Sequence, residues 1–280
     1  MNEPGSGAAI HRLELEDYVA GCVDAELGRL DLDAASAVRV RRVQAVLCRT
    51  YALANIGRHA AEGFDLCATT HCQMFRRLPP ASLSARLAHQ AAADTAGLTL
   101  VFNGQPIQAL FHAHCGGRTS AAHSVWGGRP QPYLTSVADP TCETSPTWRS
   151  TIERERLRQA LHATESTDIG SRLDRVEVAA RDPAGRATVV TLSGVRSRTV
   201  TGEAFRRAVS DALGARVLRS TWFVVRPQGD EFVFEGRGSG HGAGLCQAGA
   251  IARAREGQGE AAILAHYFPG TQLLRMALGR

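Results

Sequence analysis

The chain has no lysine, since all 32 of its basic residues are arginine. We interpret this as GC-rich codon bias rather than as a functional choice. No run of about 18 apolar residues occurs, which excludes a membrane-spanning helix. The first residues lack a basic segment followed by an apolar one, so no secretory signal is visible. No block of basic residues interleaved with aromatics occurs, and we therefore expect no nucleic-acid partner.

Cysteine is present but does not form the pattern of a disulfide scaffold. The seven cysteines are odd in number and unevenly spaced in a chain of 280 residues. Cys22, Cys48 and Cys246 lie among apolar or small residues and are expected to be buried thiols. With 44% hydrophobic residues the chain can bury a real core in one large domain or two modest ones. The net charge of +5 modestly favours an anionic partner.

A carboxylate lies on the apolar face of the first predicted helix. Leu15, Val19, Cys22 and Glu26 fall at helical spacing on one stripe. An acid placed there loses solvation, so its pKa should rise. A raised pKa is what a general acid for glycoside cleavage needs. The alternative is an ordinary solvated glutamate at a helix end that happens to share the stripe.

The rest of the chain alternates helices with hairpins, which predicts an α+β fold. One predicted helix begins within 31–35 and has its apolar stripe at Val40, Val43, Leu47, Tyr51 and Ala54. The other predicted helices are 82–94, 151–163, 201–213 and a segment that begins near Cys246. The predicted strands are 98–102 and 106–112 around Asn103-Gly104, 176–180, 188–192, 222–225 and 231–234. We expect the N-terminal helices and mixed hairpins to form a substrate cleft. The change of character at 149–215 predicts a small inserted α+β unit within a core made of 1–148 and 216–280.

Two thiols and an imidazole occur within six residues, at Cys67, His71 and Cys72. This donor set suits a tetrahedral zinc site. The adjacent His71 and Cys72 can bind one ion only if the chain turns between them. His59 precedes the segment, and more distant candidate ligands are His112, His114, Cys115 and Cys142. The alternative is a loop with free thiols and no metal.

Two further segments combine histidine with glycine. In HAHCGG at 112–117, His112 and His114 leave a strand on the same face, and nothing marks Cys115 as an activated nucleophile. In GSGHGAG at 238–244, the glycines match neither a P-loop nor a dinucleotide-binding fingerprint. We interpret His241 as a polar side chain in a groove whose backbone amides can meet sugar hydroxyls. The alternative is a flexible loop.

These pieces, in this order, resemble the stage II sporulation protein D (SpoIID)/LytB family over nearly the whole chain. The N-terminal matches are LEDYVAG at 15–21 with Glu26, QAV at 44–46, RTYA at 49–52 and FDLCATTHCQ at 64–73. The later matches are NG at 103–104 with PI at 106–107, His112 with CGGRT at 115–119, VWGG at 125–128, PYL at 132–134, GRG at 236–238, GHG at 240–242, CQ at 246–247 with GA at 249–250, and ILAHYFPG at 263–270.

The resemblance implies a peptidoglycan lytic transglycosylase that prefers glycan strands stripped of stem peptides. The family's catalytic acid matches Glu26, as general acid and then base. The resemblance also implies zinc in some members, of structural use, with His59, Cys67, His71 and Cys72 as the matching ligands. Glycan-contacting residues would be Arg49, Tyr51, His112, His241 and Gln247. The substrate places the protein in the cell envelope.

The chain departs from the family pattern at two places that bear on the substrate. Leu27-Gly28 stands where Met-Pro often follows the acid, and Ser239 stands where a tryptophan is common. The second change removes an aromatic ring that could stack on a sugar. An alternative function is a non-catalytic wall-binding module that stimulates a cell-wall amidase, as other members of the family do. A third is a zinc-stabilised scaffold that binds no glycan.

Overall fold

The computed structural model describes residues 9–79, 82–142 and 147–276. The described α-helices are α1 (Leu15–Leu27), α2 (Ala34–Ala54), α3 (Leu83–Asp94), α4 (Ala122–Trp126), α5 (Arg154–His162), α6 (Gly202–Leu213), α7 (Gln247–Arg255) and α8 (Glu260–Tyr267). The described strands are β1 (Leu98–Phe102), β2 (Gln105–Pro106), β3 (Phe111–His112), β4 (Thr147–Glu153), β5 (Leu173–Arg181), β6 (Ala187–Gly194), β7 (Ser197–Thr201), β8 (Phe223–Gln228), β9 (Glu231–Arg237), β10 (Leu245–Cys246) and β11 (Gln272–Arg275). The predicted α+β class is confirmed. No helix in these ranges combines the length and apolar character needed to cross a bilayer.

The chain divides into two compact units. The first comprises the described residues within 1–109, 259–261 and 271–280, and the second those within 110–258 and 262–270. In the first unit α1, α2 and α3 pack on one another, and α2 packs on a three-stranded sheet of order β11-β1-β2. The central strand β1 pairs antiparallel with both neighbours. Residues from both ends of the chain therefore build the first unit.

Side-chain caps start two helices of the first unit, α2 and α3, within the ranges that the sequence predicts. Asp33 accepts a hydrogen bond from the amide of Ser36 at 2.9 Å, and α2 begins at Ala34. Ser82 accepts one from the amide of Ala85 at 2.9 Å, and α3 follows. Each cap satisfies an amide that the helix itself leaves without a partner.

The second unit holds the remaining sheets. β4, β9 and β8 form one antiparallel sheet and β5, β6 and β7 another, while β3 and β10 form a short parallel pair. A single apolar core joins the two antiparallel sheets and helices α5 and α6; its fully buried members include Leu157, Val190, Phe205, Phe223 and Phe234. The strands β8 and β9, outside the predicted insertion at 149–215, thus share a core with it. The division into an insertion and a surrounding core stays a prediction.

Two predicted elements are wrong in extent. The predicted strand at 106–112 breaks, because β2 ends at Pro106 and β3 pairs with β10 instead. Proline has no N–H to donate to a continuing ladder. The helix predicted at 151–163 begins only at Arg154, because the preceding residues extend β4 along the whole length of β9.

Candidate active site and metal cluster

Glu26 lies in the last turn of α1, in the first unit, and is partly buried. Burial raises the pKa of its carboxyl, while a hydrogen bond from the amide of Met74 acts to lower it. That amide donates to Oε1 at 2.9 Å. It is the one hydrogen-bond donor to this carboxyl among the described residues. The negative end of the helix dipole also disfavours the charged form. The direction of the shift agrees with the expectation from the apolar stripe.

The neighbouring acid on α1 has a different role. Asp24 is 5% exposed, and its Oδ2 accepts a hydrogen bond from Nε of Arg76 at 2.6 Å. Its Oδ1 accepts one from the hydroxyl of Ser84. Asp24 is thus engaged by a guanidinium and a hydroxyl. Among the described residues no cation contacts the carboxyl of Glu26, whose pKa burial raises.

A glycine in α1 lets the segment at 73–76 approach the helix. A Cβ built on Gly21 would lie 2.3 Å from Cε2 of Phe75 and 2.8 Å from the carbonyl oxygen of Arg76. Phe75 also stacks on Tyr18, with ring centroids 5.5 Å apart. This close packing places the amide of Met74 at the carboxyl of Glu26.

Replacing Gly21 with alanine is expected to lower the free energy of unfolding by about 1–3 kcal/mol, because the added methyl overpacks this contact. Urea unfolding followed by circular dichroism measures the change. Gly259→Ala is the matched control, since a Cβ there would meet nothing within 4 Å. A loss for Gly21→Ala no larger than that of the control would show that the segment is not held against α1.

The four predicted metal ligands lie together. One ligand atom from each of His59, Cys67, His71 and Cys72 falls within 4.8 Å of the others. Nε2 of His59 lies 3.3 Å from Sγ of Cys72, and Nδ1 of His71 lies 3.7 Å from Sγ of Cys67. The amide of Cys72 donates to the carbonyl of Thr69 at 3.0 Å, which provides the turn that the adjacent His71 and Cys72 require.

The surroundings of the cluster suit a thiophilic metal ion. Nδ1 of His59 lies 2.5 Å from Oε1 of Glu62, a carboxylate contact of the kind that orients metal-binding imidazoles. Burial opposes ionisation of Cys67, but hydrogen bonds from Thr69, His71 and Cys72 together lower its pKa to about 6. Two nitrogens and two sulfurs are a donor set that fits tetrahedral zinc. Metal binding by these residues stays a prediction.

Two of the predicted glycan contacts, Arg49 and Tyr51, are buried in the first unit. Arg49 is 0% exposed; its Nε and Nη2 donate to the carboxylate of Glu16 at 2.8 and 2.5 Å. Its remaining hydrogen bonds go to Thr95 and to the carbonyls of Ala92 and Leu98. These contacts hold the guanidinium of Arg49 inside the first unit, and glycan contact by Arg49 stays a prediction.

Tyr51 is likewise only 5% exposed, and its hydroxyl accepts a hydrogen bond from Nη1 of Arg58 at 3.1 Å. Burial raises its pKa, and the nearby thiols of Cys72 and Cys67 act in the same direction, while Arg58 opposes them. Tyr51 therefore lies beside the predicted metal cluster rather than at an open surface.

In the second unit the two predicted histidines lie together. The ring centroids of His112 and His241 are 5.5 Å apart. Burial lowers the pKa of His241 to about 4, and burial also lowers that of His112, so both rings are neutral at pH 7. Nδ1 of His112 contacts the carbonyl of Ala243 at 3.1 Å, and its buried Nε2 has no partner among the described residues. Gln247 is the partly buried first residue of α7.

The structure adds an aromatic ring that the sequence did not single out as a contact. Trp126, at the end of α4, is 46% exposed, and its ring lies 5.0 Å from that of His241 between centroids. An exposed indole beside a neutral imidazole offers an apolar face on which a sugar ring can stack. The sequence signal that could have identified Trp126 is the motif VWGG at 125–128, which is part of the family resemblance.

Comparison with known proteins bears on this arrangement. The family model described as SpoIID, Stage II sporulation protein, matches residues 4–102, which include Glu26 and all four residues of the metal cluster. Stage II sporulation protein D of Bacillus subtilis is 26% identical over 281 residues, covering 95% of this chain and 76% of that protein. The chain is therefore similar to the SpoIID family, as the sequence motifs suggested.

Other relatives of the chain have different names. An uncharacterized protein of Brachyspira hyodysenteriae is 29% identical over 272 residues, covering 95% of this chain and 68% of that protein. A Bacillus subtilis protein named Amidase enhancer is 25% identical over 286 residues, covering 87% of this chain and 39% of that longer protein. Residues 143–244 also match a domain of unknown function, DUF8618.

Proposed function

We propose that this chain is a lytic transglycosylase that cleaves peptidoglycan glycan strands in the cell envelope, with Glu26 as the single general acid and base. The observation that carries the proposal is the state of that carboxyl: partly buried, with a raised pKa and no cation to hold it charged. Catalytic acids are tuned in this way by their surroundings. The names of the Bacillus subtilis relatives support a role at the cell wall.

The contact with Met74 determines where the proton resides. The amide donates to Oε1, so Oε1 is an acceptor and the acidic proton belongs on Oε2. In the proposed reaction Oε2 gives this proton to the glycosidic oxygen while the bond from the anomeric carbon to that oxygen breaks. The resulting carboxylate then takes the proton of the same sugar's 6-hydroxyl, whose oxygen bonds to the anomeric carbon. The product is an anhydro-muramyl end, and no second carboxylate is required.

We propose further that zinc binds His59, Cys67, His71 and Cys72 and has a structural role. When bound, the ion would fix the turn that brings these side chains together. Cys72 is separated by a single residue from Met74, whose amide contacts Glu26. The intervening Gln73 is 2% exposed and donates to the carbonyl of Cys48 at 3.2 Å. The cluster and the proposed acid thus share one short, well-held segment.

The second candidate function is a binding module that enhances a cell-wall amidase. It is favoured by the relative named Amidase enhancer and by the exposed Trp126 beside His241, which suit glycan binding without catalysis. Glycan binding by His112, His241 and Gln247 is expected under either function. The two functions differ in whether Glu26 is needed.

Mass analysis of glycan incubated with the full chain tests the proposal. Denuded peptidoglycan is expected to yield fragments with anhydro-muramyl ends, each one water lighter than a hydrolysis product, and intact peptidoglycan fewer of them. If the protein releases no such ends from either substrate but raises the rate of a wall amidase, the enhancer function replaces the enzyme.

A further inference from the structure

Three cysteines that are far apart in the sequence lie together inside the second unit. Cys115 follows β3, Cys142 ends the 3-10 turn Pro140–Cys142, and Cys246 ends β10. They are 1%, 3% and 0% exposed, and the neighbouring Asp139 is 0% exposed. One ligand atom from each of these four residues lies within 4.8 Å of the others, and the sulfurs of Cys142 and Cys246 are 3.3 Å apart. None of the four belongs to the cluster in the first unit.

Backbone amides point at two of these sulfurs. Sγ of Cys246 accepts hydrogen bonds from the amide of Cys115 at 3.2 Å and from that of Gly249 at 3.4 Å. Sγ of Cys115 accepts one from the amide of Gly117 at 3.4 Å. A neutral thiol is a weak acceptor, whereas a metal-bound thiolate is stabilised by such donors. The backbone is therefore arranged for sulfur that carries negative charge.

The carboxylate of Asp139 contacts one sulfur of the cluster, with its Oδ2 3.4 Å from Sγ of Cys115, and three further side chains hold it in place. The hydroxyl of Tyr267 donates to Oδ2 of Asp139 at 2.8 Å, and the hydroxyl of Thr141 donates to Oδ1 at 2.9 Å. Nη2 of Arg253 lies 3.4 Å from Oδ1. Contacts of this kind orient the carboxylates of metal sites. A Cβ on Gly249 would lie 2.1 Å from Oδ2, so glycine is required for this approach.

A bound cation would let the buried thiols of the cluster ionise. A thiolate in a dry interior costs several kcal/mol unless it is paired, so these thiols would lose their protons together only around a cation. The guanidinium of Arg253 reaches Asp139, and that of the 1%-exposed Arg186 donates to the carbonyls of Cys115 and His114. A divalent ion among the sulfurs would supply the positive charge that thiolate ligands need.

We propose that Cys115, Cys142, Cys246 and Asp139 bind a second metal ion, zinc, in the interior of the second unit. Sulfurs bound to tetrahedral zinc at 2.3 Å lie roughly 3.8 Å apart, so the observed cluster needs only small side-chain shifts to close around the ion. A disulfide, by contrast, would join two of the sulfurs and leave the third thiol and the carboxylate buried beside it. Nδ1 of His114 lies 3.1 Å from Sγ of Cys142, and the tautomer protonated at Nδ1 would donate a hydrogen bond to a metal-bound thiolate there. A closed set of four protein ligands is typical of structural zinc.

Metal counting in the full-length protein tests this proposal separately from the activity. Protein expressed with added zinc and purified under reducing conditions is analysed for zinc per chain by plasma mass spectrometry. The double variant Cys67→Ala/Cys72→Ala, which disables the first cluster, is expected to retain one zinc per chain. Cys142→Ala is expected to lose one zinc relative to the wild type. Cys48→Ala, which removes a buried thiol outside both clusters, is the matched control and should lose none.

Cobalt replacement keeps the test decisive if Cys142→Ala does not fold. The Cys67→Ala/Cys72→Ala variant loaded with Co²⁺ is expected to show intense thiolate-to-cobalt absorption and tetrahedral d–d bands. Absence of bound metal from this variant, while the wild type binds one ion, would overturn the proposal. A disulfide between Cys142 and Cys246, found by peptide mass analysis of the reduced preparation, would overturn it as well.

Discussion

Replacing Glu26 with glutamine is expected to lower the rate of anhydro-muramyl product formation by about 10²–10⁴-fold, the usual contribution of a general acid or base. Glutamine keeps the shape of the side chain and can still accept the hydrogen bond from Met74, but it has no acidic proton to give. Initial rates on denuded glycan, read by mass analysis of the products, measure the loss. Binding of glycan in a pull-down should persist.

Glu14→Gln is the matched control for this substitution. Glu14 is the exposed residue that precedes α1, and its side chain makes no capping hydrogen bond. The variant carries the same chemical change at the other end of the same helix and should retain the wild-type rate. Equal activity in Glu26→Gln and the wild type would remove Glu26 from the mechanism.

The raised pKa of Glu26 also fixes the sign of two pH effects. The acid must be protonated to cleave, so kcat/KM should fall as pH rises through the raised pKa. The folded protein holds this proton more tightly than the unfolded chain does. Glu26 therefore lowers the stability of the fold as the pH rises above the ordinary pKa of a glutamate. Glu26→Gln removes that cost and should match or exceed the wild-type Tm at pH 7. A lower Tm for the variant would contradict this account of its burial.

Replacing Arg49 with methionine is expected to lower the free energy of unfolding by about 3 kcal/mol, the lower end of the usual cost of breaking a buried ion pair from one side, because the side chains of Arg49 and Glu16 are 0% and 32% exposed. Methionine fills much of the volume but leaves Glu16 without its cation. The carbonyls of Ala92 and Leu98 also lose their donors. Urea unfolding measures the loss in the free energy of unfolding, and an unchanged m-value would show that only the stability has changed.

Arg42→Met is the matched control on the same helix. Arg42 pairs with Asp94, but the two side chains are 37% and 24% exposed. Exposed pairs contribute about 0–1 kcal/mol, so this substitution should cost far less. Similar losses in the two variants would mean that burial does not distinguish the pairs. A glycan-binding role for Arg49 would instead lower binding and leave the stability unchanged.

The sequence predicted well what local rules determine. The helix starts within 31–35 and at 82, the Asn103-Gly104 turn and the stripe that carries Glu26 each depend on residues a few positions apart. The metal-ligand prediction also depends on residues that are close in the sequence, because three of its four residues lie within one short segment.

Contacts between distant residues could not be predicted in this way. Arg49 matches a family motif, but only its pairing with Glu16, 33 positions earlier, shows that it is buried. Cys142 and Cys246 are 104 positions apart, so their contact has no local signature. Likewise, Asp24 is distinguished from Glu26 by Arg76, which lies on a segment that only the folded chain brings to α1.

The pairing of β1 with β11 has a consequence for how the molecule is made. β1 forms its hydrogen bonds on one side with Gln272–Arg275, about 170 residues later in synthesis. Until that strand emerges from the ribosome, the edge of Leu98–Phe102 is open to other chains. A fragment limited to residues 4–102 would keep this edge open permanently and should aggregate. Studies of the first unit as a fragment therefore need to supply β11, either as a separate peptide or fused to the N-terminus of the fragment.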